Sequence, residues 1–376
     1  MKVLFLMFAF PDMNKSFNMF TSLAEEFHIH GHEVKVIAPG SSKTDVYLES
    51  DLPVLRVKTL PIKNVSNVIK GLSNVLLPYQ HLRAYRRYYA DFKPDLIVIP
   101  TPPITLVDVA DKLKRQYGTK VLLILRDIFP QNAVDLGFMK ENGLMHRYFS
   151  KKESKLYHTA DHIGCMSAAN IRYLIDHHPS VPDQKLFELP NWQKVYPGYG
   201  HDAQVLHRKF HIEGKFTIIF GGNMGKPQQL ENVLTLAKNC LPYEDIVFLL
   251  LGEGVQMEKI KKAVQEQSLK NITIHPSISK QEYQDLLTVV DVGLISLHKD
   301  FTVPNIPSKA LDYWNVGVPI LASIDRASDL DVILRDTGSG LSSIAGDHDM
   351  FFDNLMQLYR HADLRKTMSE NGRKYF

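Results

Sequence analysis

Short apolar runs alternate with helical patterns along the first half of the chain. The predicted strands cover residues 3–10, 34–38, 96–99 and 121–125. Helices are predicted between them at 17–30 and 104–117, and each is followed by a glycine, the residue that commonly ends a helix. This alternation predicts βαβ units and a parallel sheet.

A second series of the same kind follows a stretch rich in Pro, Asn and Gly at 189–200, which is typical of a linker. Its predicted strands cover 216–220, 246–251, 272–275, 292–295 and 319–322. We therefore expect two doubly wound α/β domains, over 1–195 and 196–362, and a C-terminal helix over 363–376. In such sheets, ligands bind beyond the carboxyl ends of the strands.

The composition is that of a globular protein, since 44% of the residues are hydrophobic and 23% are charged. The two cysteines, Cys165 and Cys240, form no C-x-x-C pair, and this favours a cytoplasmic location. The apolar run at 3–10 leads into a helical pattern without a cleavage site, which favours a buried strand over a signal peptide. No run reaches the 18 or so residues of a membrane span, and the net charge of +3 does not indicate nucleic acid.

A glycine-rich turn, GGNMGK, occupies residues 221–226 directly after a predicted strand. Glycines let the backbone approach a ligand, and Pro227 fits the first position of a helix. Free amides and Lys226 would then meet at a helix N-terminus, which favours an anion site. The alternative is a tight turn without a ligand. The turn is not a P-loop, because Phe220 and Pro227 stand where that motif needs Gly and a hydroxyl residue.

A second turn of this kind lies at residues 296–312, after another predicted strand. If Pro307 is the first helical residue, Ser308 and Lys309 lie in the first turn, where a phosphate would be stabilised. Asp312 lies three residues after Lys309 and hence on the same face. Its carboxylate would accept the hydroxyls of a ribose whose diphosphate occupies the helix end. The alternative is a surface Lys–Asp pair.

In the first half, the predicted strand at 121–125 ends at Arg126 and Asp127. Asp127 would lie at the ligand-binding edge of its sheet and is the candidate carboxylate of this domain. The alternative is a turn that side-chain hydrogen bonds of the pair hold together.

The histidines His28, His30 and His32 could suggest a metal cluster. Gly31 interrupts them between a helix and the next strand, so the three rings need not converge, and no metal site is predicted.

Residues 62–94 combine six Lys and Arg residues with many Leu, Val and Tyr residues. This mixture is typical of a helix that lies in a membrane interface. A solvated helix with an ordinary core face is the alternative. Nucleic acid is not predicted, because nothing else in the chain extends the basic segment.

These motifs resemble those of the family 4 glycosyltransferases of the GT-B fold, in which two Rossmann-like domains face a cleft. The matching segments are GHEV at 31–34, GGNMGK at 221–226, GEG at 252–254 and the stretch from PSK to GVP at 307–319. Within the family, DIFPQ at 127–131 and DLG at 135–137 resemble the D-x-W-P-E block of a branch that builds bacterial O-antigen, capsule and related polysaccharides, fucosaminyltransferases among them.

The resemblance implies a retaining transferase that uses a UDP-sugar, with an N-acetylated hexosamine or deoxyhexosamine as the sugar, and needs neither metal nor cofactor. The implied acceptor is a polyprenyl-diphosphate-linked glycan at the inner face of the cytoplasmic membrane, to which the enzyme would bind peripherally. In relatives, a terminal helix crosses back to the first domain, as residues 363–376 would here. The implied catalytic residues are Asp127, Lys226 and Lys309, and the implied donor-binding residues are Gly222, Asn223, Glu253, Pro276, Ser277, Ile278, Pro307, Ser308 and Asp312.

Two departures from the family pattern matter. The usual Arg and Lys of the phosphate loop are not clearly both present, which leaves Lys226 and Lys309 as the cationic candidates. The E-x7-E signature would place acids at 304 and 312, where this chain has Pro304 and Asp312, so contacts to the transferred sugar cannot be carried over. Two alternatives stay open: a UDP-sugar 2-epimerase of similar fold, which would convert its donor without an acceptor, and a non-catalytic nucleotide-binding partner subunit. A dehydrogenase is not predicted, since no G-x-G-x-x-G follows the first strand.

Overall fold

The computed structural model describes residues 1–40, 43–61, 67–198 and 200–376, without the side chains of residues 67, 68 and 70. The chain divides into two compact units, Met1–Lys194 and Val195–Phe376. This division lies within the segment 189–200 that the composition predicts as a linker. Residues 62–66 of the basic segment and residue 199 of the linker lie outside the described residues.

The first unit contains a sheet whose described strands follow the order β3-β4-β2-β1-β5-β6-β7-β8. All neighbours are parallel except β3 and β4, which form an antiparallel edge. The strands are β1 Lys2–Leu6, β2 Glu33–Gly40, β3 Asp45–Glu49, β4 Leu52–Lys58, β5 Leu96–Pro100, β6 Lys120–Leu125, β7 His162–Cys165 and β8 Leu186–Glu188. The helices are α1 Met19–Ile29, α2 Asn67–Tyr88, α3 Val107–Tyr117, α4 Gln131–Asp135, α5 Leu144–Thr159 and α6 Ala168–His177.

The second unit contains an entirely parallel sheet of order β11-β10-β9-β12-β13-β14, which is the 3-2-1-4-5-6 order of a dinucleotide-binding fold. The strands are β9 Phe216–Asn223, β10 Ile246–Glu253, β11 Ile272–His275, β12 Val292–Ser296, β13 Ile320–Ile324 and β14 Gly340–Ile344. The helices are α7 Ala203–Phe210, α8 Glu231–Asn239, α9 Met257–Glu266, α10 Lys280–Leu287, α11 Lys309–Val316, α12 Leu330–Thr337, α13 His348–Arg360 and α14 Ala362–Tyr375.

Each unit buries its central strands on both faces, as parallel sheets covered by helices do. In β9, the five residues of Phe216–Phe220 are all buried, and β12 is buried throughout. The runs that the sequence shows as continuously apolar are therefore the central strands. The residues that emerge from this core at the carboxyl ends of the strands are the ones free to meet a ligand.

The predicted terminal helix is present as α14, which packs against α11 in the second unit. The Nε and Nη2 of Arg373 donate to the carbonyl of Val316, and Ser369 Oγ donates to the carbonyl of Gly317 at 2.6 Å. The rings of Trp314 and Tyr375 meet edge to face at 4.9 Å. These contacts satisfy carbonyls at the C-terminus of α11, which a helix cannot satisfy internally.

Candidate functional site

The most informative place in the second unit is the switch point of its sheet, between β9 and β12. The two strands pair only at Val292 with Ile218 and at Gly293 with Ile219. By contrast, β9 pairs with β10 along its whole length, from Phe216 to Asn223. The carboxyl ends of β9 and β12 are therefore not joined by backbone hydrogen bonds. Open α/β sheets bind their ligands at such a point.

Glycines allow the ends of β9 and β10 to run side by side. Gly222 is the register partner of Gly252, and Asn223 that of Glu253. A Cβ atom built on Gly252 would collide with the carbonyl oxygen of Gly222, and both glycines have positive φ, 122° and 154°. Gly222 and Asn223 are exposed at the carboxyl end of β9. A ligand could thus contact the backbone there without meeting a side chain at Gly222.

The prediction that Pro227 begins a helix is wrong. Residues Lys226–Gln228 form a single 3-10 turn, and α8 begins only at Glu231. Gln229 separates the 3-10 turn from α8, because its φ of 38° lies in the left-handed region. Within the turn, the N–H of Gly225 donates to Gln228 Oε1 at 3.1 Å. Lys226 is half-buried beside this turn, and no helix N-terminus lies there.

The second predicted turn ends in a true helix, although α11 begins at Lys309 and not at Pro307. Ser308 is the N-cap residue, and the carbonyl of Pro307 accepts the N–H of Ala310 at 3.0 Å. The difference arises because Pro307 and Ser308 complete the turn that precedes the helix. Lys309 is therefore the first residue of α11, at the positive end of the helix dipole.

Tyr313 anchors α11 to the switch point, and the sequence analysis missed it. Its hydroxyl lies 3.2 Å from the carbonyl oxygen of Ile219 and 3.1 Å from that of Leu294, so it contacts both β9 and β12. Gly293 leaves the room that the buried ring of Tyr313 needs. The signal was present in the sequence, because a lone glycine inside a strand often marks a close approach.

Lys309 lies over the end of β9. Its Nζ is 3.5 Å from the centroid of the Phe220 ring, and its Cε would lie 4.0 Å from a Cβ atom on Gly222. Burial lowers the pKa of Lys309 to about 7. No carboxylate among the described residues forms an ion pair with it. A half-buried amine without a counter-ion is suited to bind an anion, because a nearby negative charge would raise the pKa of the amine and favour its protonated form.

Asp312 is buried and forms its ion pair with a residue of α10, not with Lys309. Its carboxylate accepts hydrogen bonds from Lys280 Nζ and, at 3.4 Å, from Gln284 Nε2. The alternative of a surface pair between Lys309 and Asp312 is therefore wrong. The sequence analysis missed both α10 residues, although the stretch from Ser279 to Glu282 has the pattern of a capping box, and Ser279 Oγ caps the helix.

The other candidate donor-binding residues follow β10 and β11, next to β9 in the sheet. The side chain of Glu253 is exposed, and its carbonyl accepts the N–H of Met224 at 2.7 Å. After β11, Pro276 and Ser277 are exposed and Ile278 is half-buried. These residues thus lie at the same edge of the sheet as Lys309 and Gly222.

Asp127 lies in the first unit, at the end of β6. The backbone N–H groups of Arg126 and Asp127 donate to Thr101 Oγ1 at 2.9 and 3.1 Å, so Thr101 holds this turn. Burial raises the pKa of Asp127, an effect that the charge of Arg126 opposes. Burial also lowers the pKa of Arg126 to about 10. Both side chains stay available as candidate polar groups at this edge.

A second feature of the first unit that the sequence analysis missed is the support of the loop after β1. Arg56 donates to the carbonyls of Phe10 and Pro11 at 2.6 and 3.0 Å, and to both carboxylate oxygens of Glu49. This bidentate pair belongs to the β3–β4 edge, and β1 borders the switch point of this sheet. Nothing in the local sequence pattern indicates the pairing.

The rings of His30 and His32 contact different groups. The ring of His30 contacts the carbonyl of Glu26 at 2.8 Å, and the ring of His32 contacts the amino group of Met1 at 3.3 Å. His28 is exposed in the last turn of α1.

Each unit matches a glycosyltransferase family model. Residues 18–192 match Glycosyltransferase Family 4, and residues 202–375 match Glycosyl transferases group 1. The two units are thus similar to these two families. Their architecture, two parallel-sheet α/β domains, is the GT-B fold, and the predicted fold class is confirmed.

Two curated relatives and one solved structure extend this comparison. WbjE of Pseudomonas aeruginosa, which bears a glycosyltransferase name, is 27% identical over 65% of this chain and 61% of its own. WcaI of Escherichia coli K12, named for a glycosyl transfer in colanic acid biosynthesis, is 24% identical over 63% of this chain and 58% of its own. The chain thus matches about three fifths of the length of these relatives. HepE of Anabaena, crystallised with UDP, is similar over 100% of this chain and 94% of its own, with a TM-score of 0.71 and 12% identity, and shares the fold.

Proposed function

We propose that this protein is a glycosyltransferase of bacterial surface-polysaccharide synthesis that takes its sugar from a UDP-sugar. Both halves match glycosyltransferase family models, and WcaI is named for a step in the synthesis of such a polysaccharide. The donor class is supported by HepE, which shares the fold and binds UDP. The observation that carries the proposal is Lys309, an amine without a carboxylate partner among the described residues, at the N-terminus of α11 over the glycine end of β9.

In the proposed donor complex, the diphosphate lies between Lys309 and the backbone at Gly222 and Asn223. Lys226 contributes a second positive charge, and Pro307 and Ser308 shape the approach to α11. The ribose hydroxyls bind Asp312, in place of or beside Lys280. The base lies against the residues that follow β10 and β11, namely Glu253, Pro276, Ser277 and Ile278. This arrangement uses the edge of the sheet at which ligands of doubly wound folds bind.

The proposed reaction retains the configuration at the sugar C1 and needs neither metal nor cofactor. The bond from C1 to the β-phosphate oxygen breaks while an acceptor hydroxyl bonds to C1 from the same face. Lys226 and Lys309 stabilise the charge that develops on the leaving diphosphate, which takes the acceptor proton. Asp127 orients the acceptor, a polyprenyl-diphosphate-linked glycan at the inner face of the cytoplasmic membrane. The transferred sugar is an N-acetylated hexosamine or deoxyhexosamine.

The donor class can be tested by thermal unfolding with a panel of nucleoside diphosphates. A ligand that binds only the folded state stabilises it, by about 2.7 kcal/mol when its concentration is a hundred times Kd. We expect UDP to raise the unfolding temperature more than GDP or ADP does, with and without EDTA. A shift that EDTA abolishes would contradict metal independence. No shift with any nucleotide in a folded sample would contradict the proposed donor site.

The role of Asp312 can be tested by the exchange Asp312→Asn. We expect an affinity for UDP that is about 10- to 10²-fold weaker, because a hydrogen bond to a charged group contributes about 1.5–3 kcal/mol. Calorimetry measures the affinity of both proteins for UDP and for 2′,3′-dideoxy-UDP, which lacks the two ribose hydroxyls. The variant and the unchanged protein should bind 2′,3′-dideoxy-UDP with the same affinity. If the exchange weakens both ligands equally, Asp312 does not contact the ribose. The exposed Asp349 offers a matched control, Asp349→Asn.

The affinity for a UDP-sugar should depend on pH. The pKa of Lys309 is about 7 in the free protein, so above pH 7 this amine is increasingly neutral. The diphosphate binds the charged form, and binding therefore takes up a proton between pH 7 and 9. We expect Kd to rise by up to about tenfold per pH unit in this range, a dependence that Lys309→Arg should remove, since the arginine stays charged. A flat profile for the unchanged protein would contradict contact between Lys309 and the diphosphate.

A further inference from the structure

Arg126, at the end of β6, carries a positive charge that no described residue neutralises. Its side chain is half-buried and its Nη1 is fully buried. Among the described residues, none forms an ion pair or a hydrogen bond with the guanidinium. Burial lowers the pKa of Arg126 to about 10, so the group stays charged at neutral pH. Because an unpaired charge away from water is costly, we expect an anionic ligand at this position.

The carboxylate of Asp127 follows Arg126 directly but forms no ion pair with it. Within the described part of the chain, this carboxylate also accepts no hydrogen bond. Thr101 Oγ1 accepts the N–H groups of both residues, at 2.9 and 3.1 Å, and so fixes the backbone from which the two side chains extend. A guanidinium and a carboxylate that are neighbours without pairing fit a ligand with a negative group near a hydroxyl.

This turn lies beside the switch point of the first sheet. The strand order reverses between β1 and β5, whose pairing ends at Phe5 and Val98, and β6 is the next strand after β5. Two further buried polar atoms without a hydrogen-bond partner follow β5 and β6, namely Thr105 Oγ1 and Asn132 Oδ1. Buried polar groups of native proteins are nearly always bonded to protein, water or ligand. Their position at the carboxyl ends of neighbouring strands favours a polar ligand.

We propose that Arg126 binds an anionic group of the acceptor, a phosphate or a carboxylate, while Asp127 accepts a hydrogen bond from the hydroxyl that receives the sugar. The charge of the acceptor then determines which molecules are used. A guanidinium binds either anion through two parallel N–H donors, so both share one recognition chemistry. This inference deepens the proposed function and rests on it for the transfer reaction, whereas binding of the anion can be measured without transfer.

Matched pairs of charged and neutral ligands test this recognition. One pair is decyl-diphosphate-linked N-acetylglucosamine and decyl N-acetylglucosaminide, and the other is decyl glucuronide and decyl glucoside. Calorimetry with saturating UDP keeps the proposed donor site occupied. We expect the charged member of at least one pair to bind about 10- to 10²-fold more tightly than the neutral member, and Arg126→Met to abolish this difference. The pair that shows the difference identifies the anion as a phosphate or a carboxylate.

Three comparisons separate ligand binding from a structural role of Arg126. Arg172→Met, at an exposed arginine of α6 in the same unit, should keep the charge preference. Arg126→Lys should restore part of it, because lysine keeps the charge but not the two parallel donors. In addition, Arg126→Met should raise the unfolding temperature of the free protein, since it removes a charge that has no partner. A structural role would lower that temperature.

Equal affinity of the unchanged protein for the charged and neutral members of both pairs would overturn the inference. So would inorganic phosphate that binds as tightly as the charged decyl ligands, because the site would then take a free anion. A weaker affinity of Arg126→Met for UDP would assign Arg126 to the donor and would also contradict the inference. A charge preference that depends on Arg126, without transfer from any UDP-sugar, would support the anion site and count against the proposed function.

Discussion

Replacing Lys309 with Met should lower the rate of UDP release from the donor about 10²- to 10³-fold, the loss typical when one group that stabilises developing charge is removed. In the unchanged protein, Nζ of Lys309 lies 3.5 Å from the centroid of the Phe220 ring. The apolar side chain of methionine would keep contact with this ring, so we expect the packing to be preserved. What disappears is the positive charge at the N-terminus of α11. UDP release is measured with a UDP-sugar and an acceptor lipid extract.

The exposed Lys238 of α8 provides the matched control, since Lys238→Met removes the same charge from the same unit. Its turnover should be unchanged. If Lys309→Met also turned over at the normal rate, Lys309 would have no role at the leaving group. An equal loss of rate in both variants would indicate that the net charge of the protein is the cause. This result would also contradict a role of Lys309 at the leaving group.

Exchanging Gly252 for Ala should destabilise the second unit by about 3 kcal/mol, because the new Cβ would collide with the carbonyl of Gly222 in the neighbouring strand. The backbone cannot yield easily, since β9 and β10 are paired on both sides of this point. In a Trp192→Phe background, Trp314 is the one remaining tryptophan and is buried in the second unit. Its fluorescence during urea unfolding would measure the loss.

Gly214→Ala separates the collision from backbone strain. Gly214 also has a positive φ, 65°, but a Cβ atom there would meet nothing within 4 Å. We expect this variant to lose only about 1 kcal/mol, the cost of the left-handed conformation alone. Equal losses for the two variants would show that the ends of β9 and β10 are not closely apposed.

The sequence predicts the central strands well, and it misses most strands towards the edges of the two sheets, although it predicts the edge strand β11 correctly. The continuous apolar runs of β1, β5, β6, β9, β10 and β12 arise because these strands are buried on both faces. The prediction misses β3, β4, β7, β8 and β14. Of these, β7 and β8 have only four and three residues, and the β3–β4 edge is partly exposed, so no apolar run distinguishes them.

Candidate site residues are easier to predict when they follow a strand than when they come from a neighbouring helix. Gly222 and Lys309 follow directly from the rule that ligands bind at the carboxyl ends of strands. Lys280 and Tyr313 do not, because their roles depend on how α10 and α11 pack against the sheet. The same limit explains the error at Pro227: a proline fits a 3-10 turn as well as a helix, and the left-handed Gln229 that ends the turn has no signature in its residue type.

The most direct test of the proposed function is a transfer assay with a panel of radiolabelled UDP-sugars and polyprenyl-diphosphate-linked acceptors. We predict that one donor labels the lipid-linked product, that labelling persists in EDTA, and that Lys309→Met lowers it at least a hundredfold. Conversion of the donor to its 2-epimer without any acceptor would contradict glycosyl transfer and identify an epimerase. UDP binding without transfer or conversion of any donor would instead indicate a non-catalytic subunit.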